Sequence, residues 1–178
     1  MHLRATVIAC ALLGGSSLTL AAHRSRAPQA LEALAPFRGE WEGSGETYAT
    51  PYSTPGASRV RTSCEWTANR GFLLCDQMIH HDGRTSNDLS IYTYDDSSRA
   101  YQFFGVSRGV SRVRTPGLTI AGRTWTYASE FDDRAGAHVR IRTVNDVQDT
   151  VITYHTEYTT DGRARWVLMG KGASHRVR

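Results

Sequence analysis

From Gly39 to the C-terminal end, apolar and polar residues alternate with a period of two in short runs, and each run stops at turn-forming residues. The runs cover 40–48, 59–67, 72–80, 89–94, 100–107, 123–131, 137–144, 150–158 and 164–174. Another, 110–120, holds Pro116-Gly117 in its interior and predicts a broken or bulged strand, because proline donates no ladder hydrogen bond. Between the runs lie the 51–56 loop, Asp82-Gly83, Asp95-Asp96-Ser97-Ser98, the 132–136 loop, Asn145-Asp146 and Thr160-Asp161-Gly162. Only 30–34, Ala-Leu-Glu-Ala-Leu, carries apolar residues at helical spacing, and Pro36 ends it.

Strands joined by tight turns make an antiparallel meander. With about ten of them an open sheet would leave two unpaired edges, and closure removes both. The pattern therefore predicts an all-β fold: an antiparallel up-and-down barrel of about ten strands with a short N-terminal helix. Alternation also sorts the faces. Trp125, Tyr127 and Phe131 share one face of their strand, and Val139 and Ile141 share one face of the next. Leu89 and Ile91 oppose Ser90, Tyr92 and Tyr94, while Trp166 and Leu168 oppose Arg165, Val167 and Met169. The apolar and aromatic face is the one expected inside.

The 178 residues, 40% of them hydrophobic, fit one domain. The N-terminal segment differs from the rest: Arg4 precedes an apolar run with small residues, the pattern of a secretory leader over 1–21. Residues 22–30 read as a linker and 31–178 as the barrel domain. Val7-Ile8-Ala9-Cys10 mimics a lipidation box, but its apolar run is shorter than the roughly 7–15 residues a leader uses. Cleavage after Ala21 and export to the periplasm or the outside are expected, rather than lipid anchoring through Cys10. No later segment is long and apolar enough to span a membrane. The formal charge is +4 and Lys171 is the sole lysine, so the basic surface is an arginine bias and no nucleic-acid partner is expected.

Without the leader two cysteines remain, Cys64 and Cys75. Ala68-Asn69-Arg70-Gly71 is the natural turn between them, and centring it on Asn69-Arg70 sets Cys64 opposite Cys75 and Trp66 opposite Leu73. Opposed Cβ atoms lie about 4.5–5.5 Å apart, so a cross-strand disulfide is expected.

Gly39-Glu40-Trp41, following a short helix and opening the first strand, resembles the Gly-x-Trp signature of lipocalins and other calycins. Together with Cys64-x-Trp66, Gly71-Phe72-Leu73 and the closing Asp161-Gly162-Arg163-Ala164-Arg165-Trp166, it is similar to a bacterial exported lipocalin-like family of unknown function. The resemblance implies one calycin-type barrel. It also implies that Trp41 packs at the closed end under a basic side chain of the last strand, with Lys171 and Arg176 both placed to supply it. Gly39, Trp41 and Gly43 further resemble the opening of nitrobindin-like haem barrels, which would make His175 the haem ligand, although the residues around it do not follow that family's C-terminal pattern.

Candidate chemistry is sparse. His80 and His81 are adjacent in a strand and point to opposite faces, so no metal site is expected there. His155 and Glu157 share one face and would be the polar or acid–base pair of a cavity on that side. No Gly-x-Ser-x-Gly elbow, His-Glu-x-x-His or phosphate-cradling loop is present. The reading is a non-enzymatic binding domain for a small apolar or amphipathic molecule, with no cofactor. Phe103, Trp125, Tyr127, Phe131, His155, Glu157 and Trp166 are the candidate ligand-binding residues, and Gly39, Trp41, Cys64 and Cys75 the structural ones. Its alternatives are an enzyme using His155 and Glu157, and a haem protein.

Overall fold

The structure, a computed structural model, describes residues 29–108, 113–160 and 165–177. The leader expected over 1–21 and most of the linker expected over 22–30 lie outside the described residues. The chain forms α1 (Gln29–Glu32), a 3-10 turn (Ala35–Phe37) and then strands only. These are β1 (Gly39–Thr47), β2 (Gly56–Trp66), β3 (Leu73–His81), β4 (Arg84–Asp95) and β5 (Ala100–Ser107). They continue as β6 (Gly117–Ala121), β7 (Thr124–Asp132), β8 (His138–Val147), β9 (Val151–Thr159) and β10 (Val167–Arg176). The helix opens at Gln29, inside the expected linker, and Pro36 sits within the 3-10 turn rather than after it.

Each strand pairs antiparallel with its neighbour in sequence, and β1 pairs with β10, closing the barrel. The expected architecture is the one observed. The weakest seam is β5–β6, where Tyr101 opposite Leu118 is the ladder pair and Gly105 opposite Arg114 an isolated bridge. Pro116 lies just before β6 and cuts the strand short, as the sequence predicts.

Burial settles which face points inward. Cys64 and Cys75 face each other across β2 and β3, are disulfide-bonded and fully buried, so their face is the inner one. The two-residue Asp82-Gly83 turn, with positive φ at both positions, fixes the next register, and Leu73 and Cys75 oppose Tyr92 and Ser90. The face expectation for β4 is therefore reversed: Ser90, Tyr92 and Tyr94 point inward, and Leu89, 39% exposed, points out with Ile91. In β10 a register shift between Leu168 and Gly170 turns Met169 into the core and leaves Leu168 outside, again opposite to the simple alternation.

One end of the barrel is plugged. Leu31, Leu34 and Phe37 from the helical segment pack on Trp41, Leu73, Tyr92, Trp125 and Ile152. The Trp41 indole N–H donates to the Phe37 carbonyl at 2.9 Å, and the Arg176 guanidinium lies 4.3 Å above the Trp41 ring. Arg176 also donates to the carbonyls of Pro36 at 2.8 Å, Asp149 at 2.6 Å and Arg38, tying the plug to the last strand. Of the two basic residues that could clasp Trp41, Arg176 does so. Lys171 sits on the outer face and pairs with Glu46 at 3.4 Å.

Where β10 meets β1 the wall is thin. A Cβ on Gly172 would stand 2.5 Å from the Ser44 carbonyl and 2.7 Å from the Tyr154 ring. Gly172→Ala is expected to cost about 1–3 kcal/mol, measured by urea unfolding, because backbone rather than a movable side chain must yield.

Candidate functional site

The inner faces enclose a lumen of about 690 Å³. Phe37, Trp41 and Tyr92 form its floor, and Phe103 and Tyr127 stand just above. These rings pack against one another: Phe103 lies 5.1 Å from Tyr92 and 5.2 Å from Tyr127, edge-on or tilted as aromatic pairs prefer. The walls are mixed: Thr62 lies opposite Trp41 and Asn145 opposite Trp125, Gln77, Asp88, Ser90 and Thr143 add further polar groups, and Val60, Ile79 and Ile141 add apolar ones. The lumen therefore offers both apolar and polar surface.

Two polar groupings stand out on β4. The first is a hydroxyl cluster. Tyr127 donates to the Tyr92 oxygen at 3.2 Å, and Ser90 precedes Tyr92 on the same face of β4. Burial pushes Tyr92 up to about 12 and Tyr127 well above its ordinary value, so both stay protonated at any physiological pH. The second is Asp88, whose carboxylate pairs with Arg114 at 3.0 Å. Arg114 reaches it from the segment before β6, held by two backbone hydrogen bonds to Gly105 at 2.7 and 2.8 Å, and also donates to Ser107 at 3.2 Å.

Part of the open end is roofed. The loop between β1 and β2 leans over the ends of β9 and β7, where the Tyr52 ring meets Tyr158 at 4.9 Å and Phe131 at 6.0 Å. Its hydroxyl donates to Asp133 at 2.9 Å. Backbone N–H groups led by that of Ala137 hold the Asp133 carboxyl below its ordinary range, which keeps it a charged acceptor.

The seven candidate residues separate accordingly. Phe103 and Tyr127 line the lumen. Trp125 shares their face but lies beneath the floor, stacked on Phe37 at 4.9 Å. Phe131, 42% exposed, belongs to the rim under Tyr52. His155, Glu157 and Trp166 are on the outer wall, a correction to their expected place. His155 opposes Lys171 and Val144, on the face opposite to Ile152 and Tyr154. Glu157 is engaged by Arg142 at 2.5 Å, and the Arg142 guanidinium stacks on Trp166 at 4.0 Å. His155 stands 4.0 Å from Glu157 and borders a shallow outer depression of about 980 Å³ with Arg59, His80 and Lys171. That depression is larger than the lumen but open along the wall. An acid–base pair working on a lumen ligand is not formed by these residues.

His175, the expected haem ligand, opposes Glu42 and Val151 on the outer face, away from the lumen. Among the described residues no group of His, Cys, Asp and Glu is placed to hold a metal ion. No helix among them is long and apolar enough to cross a membrane.

Sequence reasoning missed Asp88, Ser90, Tyr92 and Gln77 as lumen residues. The signal was present: the Asp82-Gly83 turn sets Ser90 against Cys75, and a disulfide face is a buried face.

The fold has solved counterparts. The chain superposes on Rv2717c from M. tuberculosis with a TM-score of 0.58 at 15% identity, covering 86% of this chain and all of that one. It also matches the S-type phycobiliprotein lyase CPES from Guillardia theta, with a TM-score of 0.48 at 12% identity over 87% of this chain and 94% of that one. The first likeness is one of fold. Searches against protein families and curated proteins find no match to this sequence.

Proposed function

We propose that this protein is a binding protein that takes a small amphipathic molecule into the barrel lumen. One observation carries the reading: a space of about 690 Å³, within the usual range for ligand sites, is left unfilled by the protein's own side chains and is lined by aromatic rings together with polar groups. A barrel that needed only to be stable would close that space. Export is part of the proposal. The leader-like composition of residues 1–21 supports it, and so does a disulfide between the two remaining cysteines.

A fluorescent apolar probe tests the reading. 1-Anilinonaphthalene-8-sulfonate is expected to brighten with the purified protein, and Thr143→Trp, which puts a bulky ring opposite Tyr127 inside the lumen, is expected to weaken that binding at least about tenfold. Equal brightening by the folded variant and the parent would overturn it.

A further inference from the structure

We infer that the lumen's ligand is a planar aromatic molecule bearing both a hydrogen-bond donor and a carbonyl-type acceptor; this rests on the lumen-binding reading above. The donor side follows from Asp88. This residue is 8% exposed on the lumen face of β4, with Oδ2 paired to Arg114, while Oδ1 has no hydrogen-bond partner among the described residues. Gln77, directly opposite on β3, has committed its amide to Thr62 at 3.2 Å and does not serve it. A buried acceptor without a donor costs about 1–3 kcal/mol, and more where the group is charged. The carboxylate torsion is soft, so a modest rotation turns the unserved oxygen toward the lumen. A ligand O–H or N–H arriving there recovers that cost.

The acceptor side follows from counting protons. Tyr92 and Tyr127 own two hydroxyl hydrogens, and the hydrogen bond between them uses that of Tyr127. One O–H is therefore left to donate, in a cluster whose members all line the lumen. A ligand carbonyl would take it. Asp88 and Ser90 are two residues apart on one strand face, about 7 Å, a spacing that the two edges of a fused bicyclic ring can span. Phe103, facing Tyr92 across β4 and β5, offers a ring for such a molecule to pack on. A saturated acyl chain would leave both the acceptor and the donor unserved.

Isothermal titration with 7-hydroxyflavone, flavone and palmitate separates the possibilities. 7-Hydroxyflavone is expected to bind roughly tenfold more tightly than flavone, which keeps the carbonyl but lacks the hydroxyl. Asp88→Ala is expected to abolish that difference. The Tyr92→Phe, Tyr127→Phe pair, which keeps the rings, is expected to weaken both flavones several-fold and leave palmitate untouched. If Asp88→Ala does not fold, Asp88→Asn keeps the shape and serves the same comparison, with a smaller narrowing expected. Equal affinity for the two flavones, or palmitate binding more tightly than either, would overturn the inference. If Thr143→Trp still suppresses the anilinonaphthalene probe in that case, the lumen-binding reading survives. A probe insensitive to Thr143→Trp overturns both.

Discussion

Trp41→Ala is expected to lower the unfolding free energy by about 3–5 kcal/mol, the largest loss of any single substitution considered for this protein. The indole is 1% exposed and stands between the plug and the lumen. Its removal takes a large buried surface, leaves the Phe37 carbonyl without its 2.9 Å donor, and deprives the Arg176 guanidinium of the ring beneath it. Trp41→Phe, which restores much of the ring but not the N–H, is expected to recover most of the loss. A double-mutant cycle with Arg176→Ala isolates the clasp, and a coupling of about 1 kcal/mol is the expected result. Urea unfolding followed by circular dichroism measures all of these, and a loss below about 1 kcal/mol for Trp41→Ala would show that the floor does not depend on this residue.

The second large effect belongs to the disulfide. Removing the Cys64–Cys75 link by replacing both residues with alanine is expected to cost about 3 kcal/mol, because the unfolded chain regains the entropy of a short closed loop. Reduction of the parent protein is expected to produce a similar fall, and the alanine pair is expected to be unmoved by reductant. The bond joins β2 to β3 on their inner face, beside Leu73. An unfolding midpoint that does not move on reduction would mean that the link contributes nothing to holding the hairpin.

The fold was largely legible in the sequence because it rests on local rules. The turns named the strand ends, the Asn69-Arg70 turn set Cys64 against Cys75, and Gly39 and Trp41 marked the opening of the barrel. The choice of inner face was legible only where it agreed with hydrophobicity. On β7 and β8, Trp125, Tyr127, Val139 and Ile141 point inward as their chemistry suggests. On β4 the rule fails, because the lumen is polar and half-open. Asp88 and Ser90 face it, while Leu89 and Val106 form an exposed pair on the outer wall. Where polar residues line an internal space the usual inside–outside pattern is inverted along that strand, and a reading by hydrophobicity alone then picks the wrong face. His155 and Glu157 were misplaced for a different reason: period two assigns them a common side but not which side, and only the ladder with Ile152 and Tyr154 decides it.

The Tyr52 roof governs time as well as space. Anchored to Asp133 and set against Phe131 and Tyr158, it covers the β7–β9 side of the mouth. In the binding proposed above, a guest on β4 and the floor would sit clear of these contacts. Loosening the roof would then speed arrival and departure together, so residence time would change while the equilibrium occupancy stayed the same.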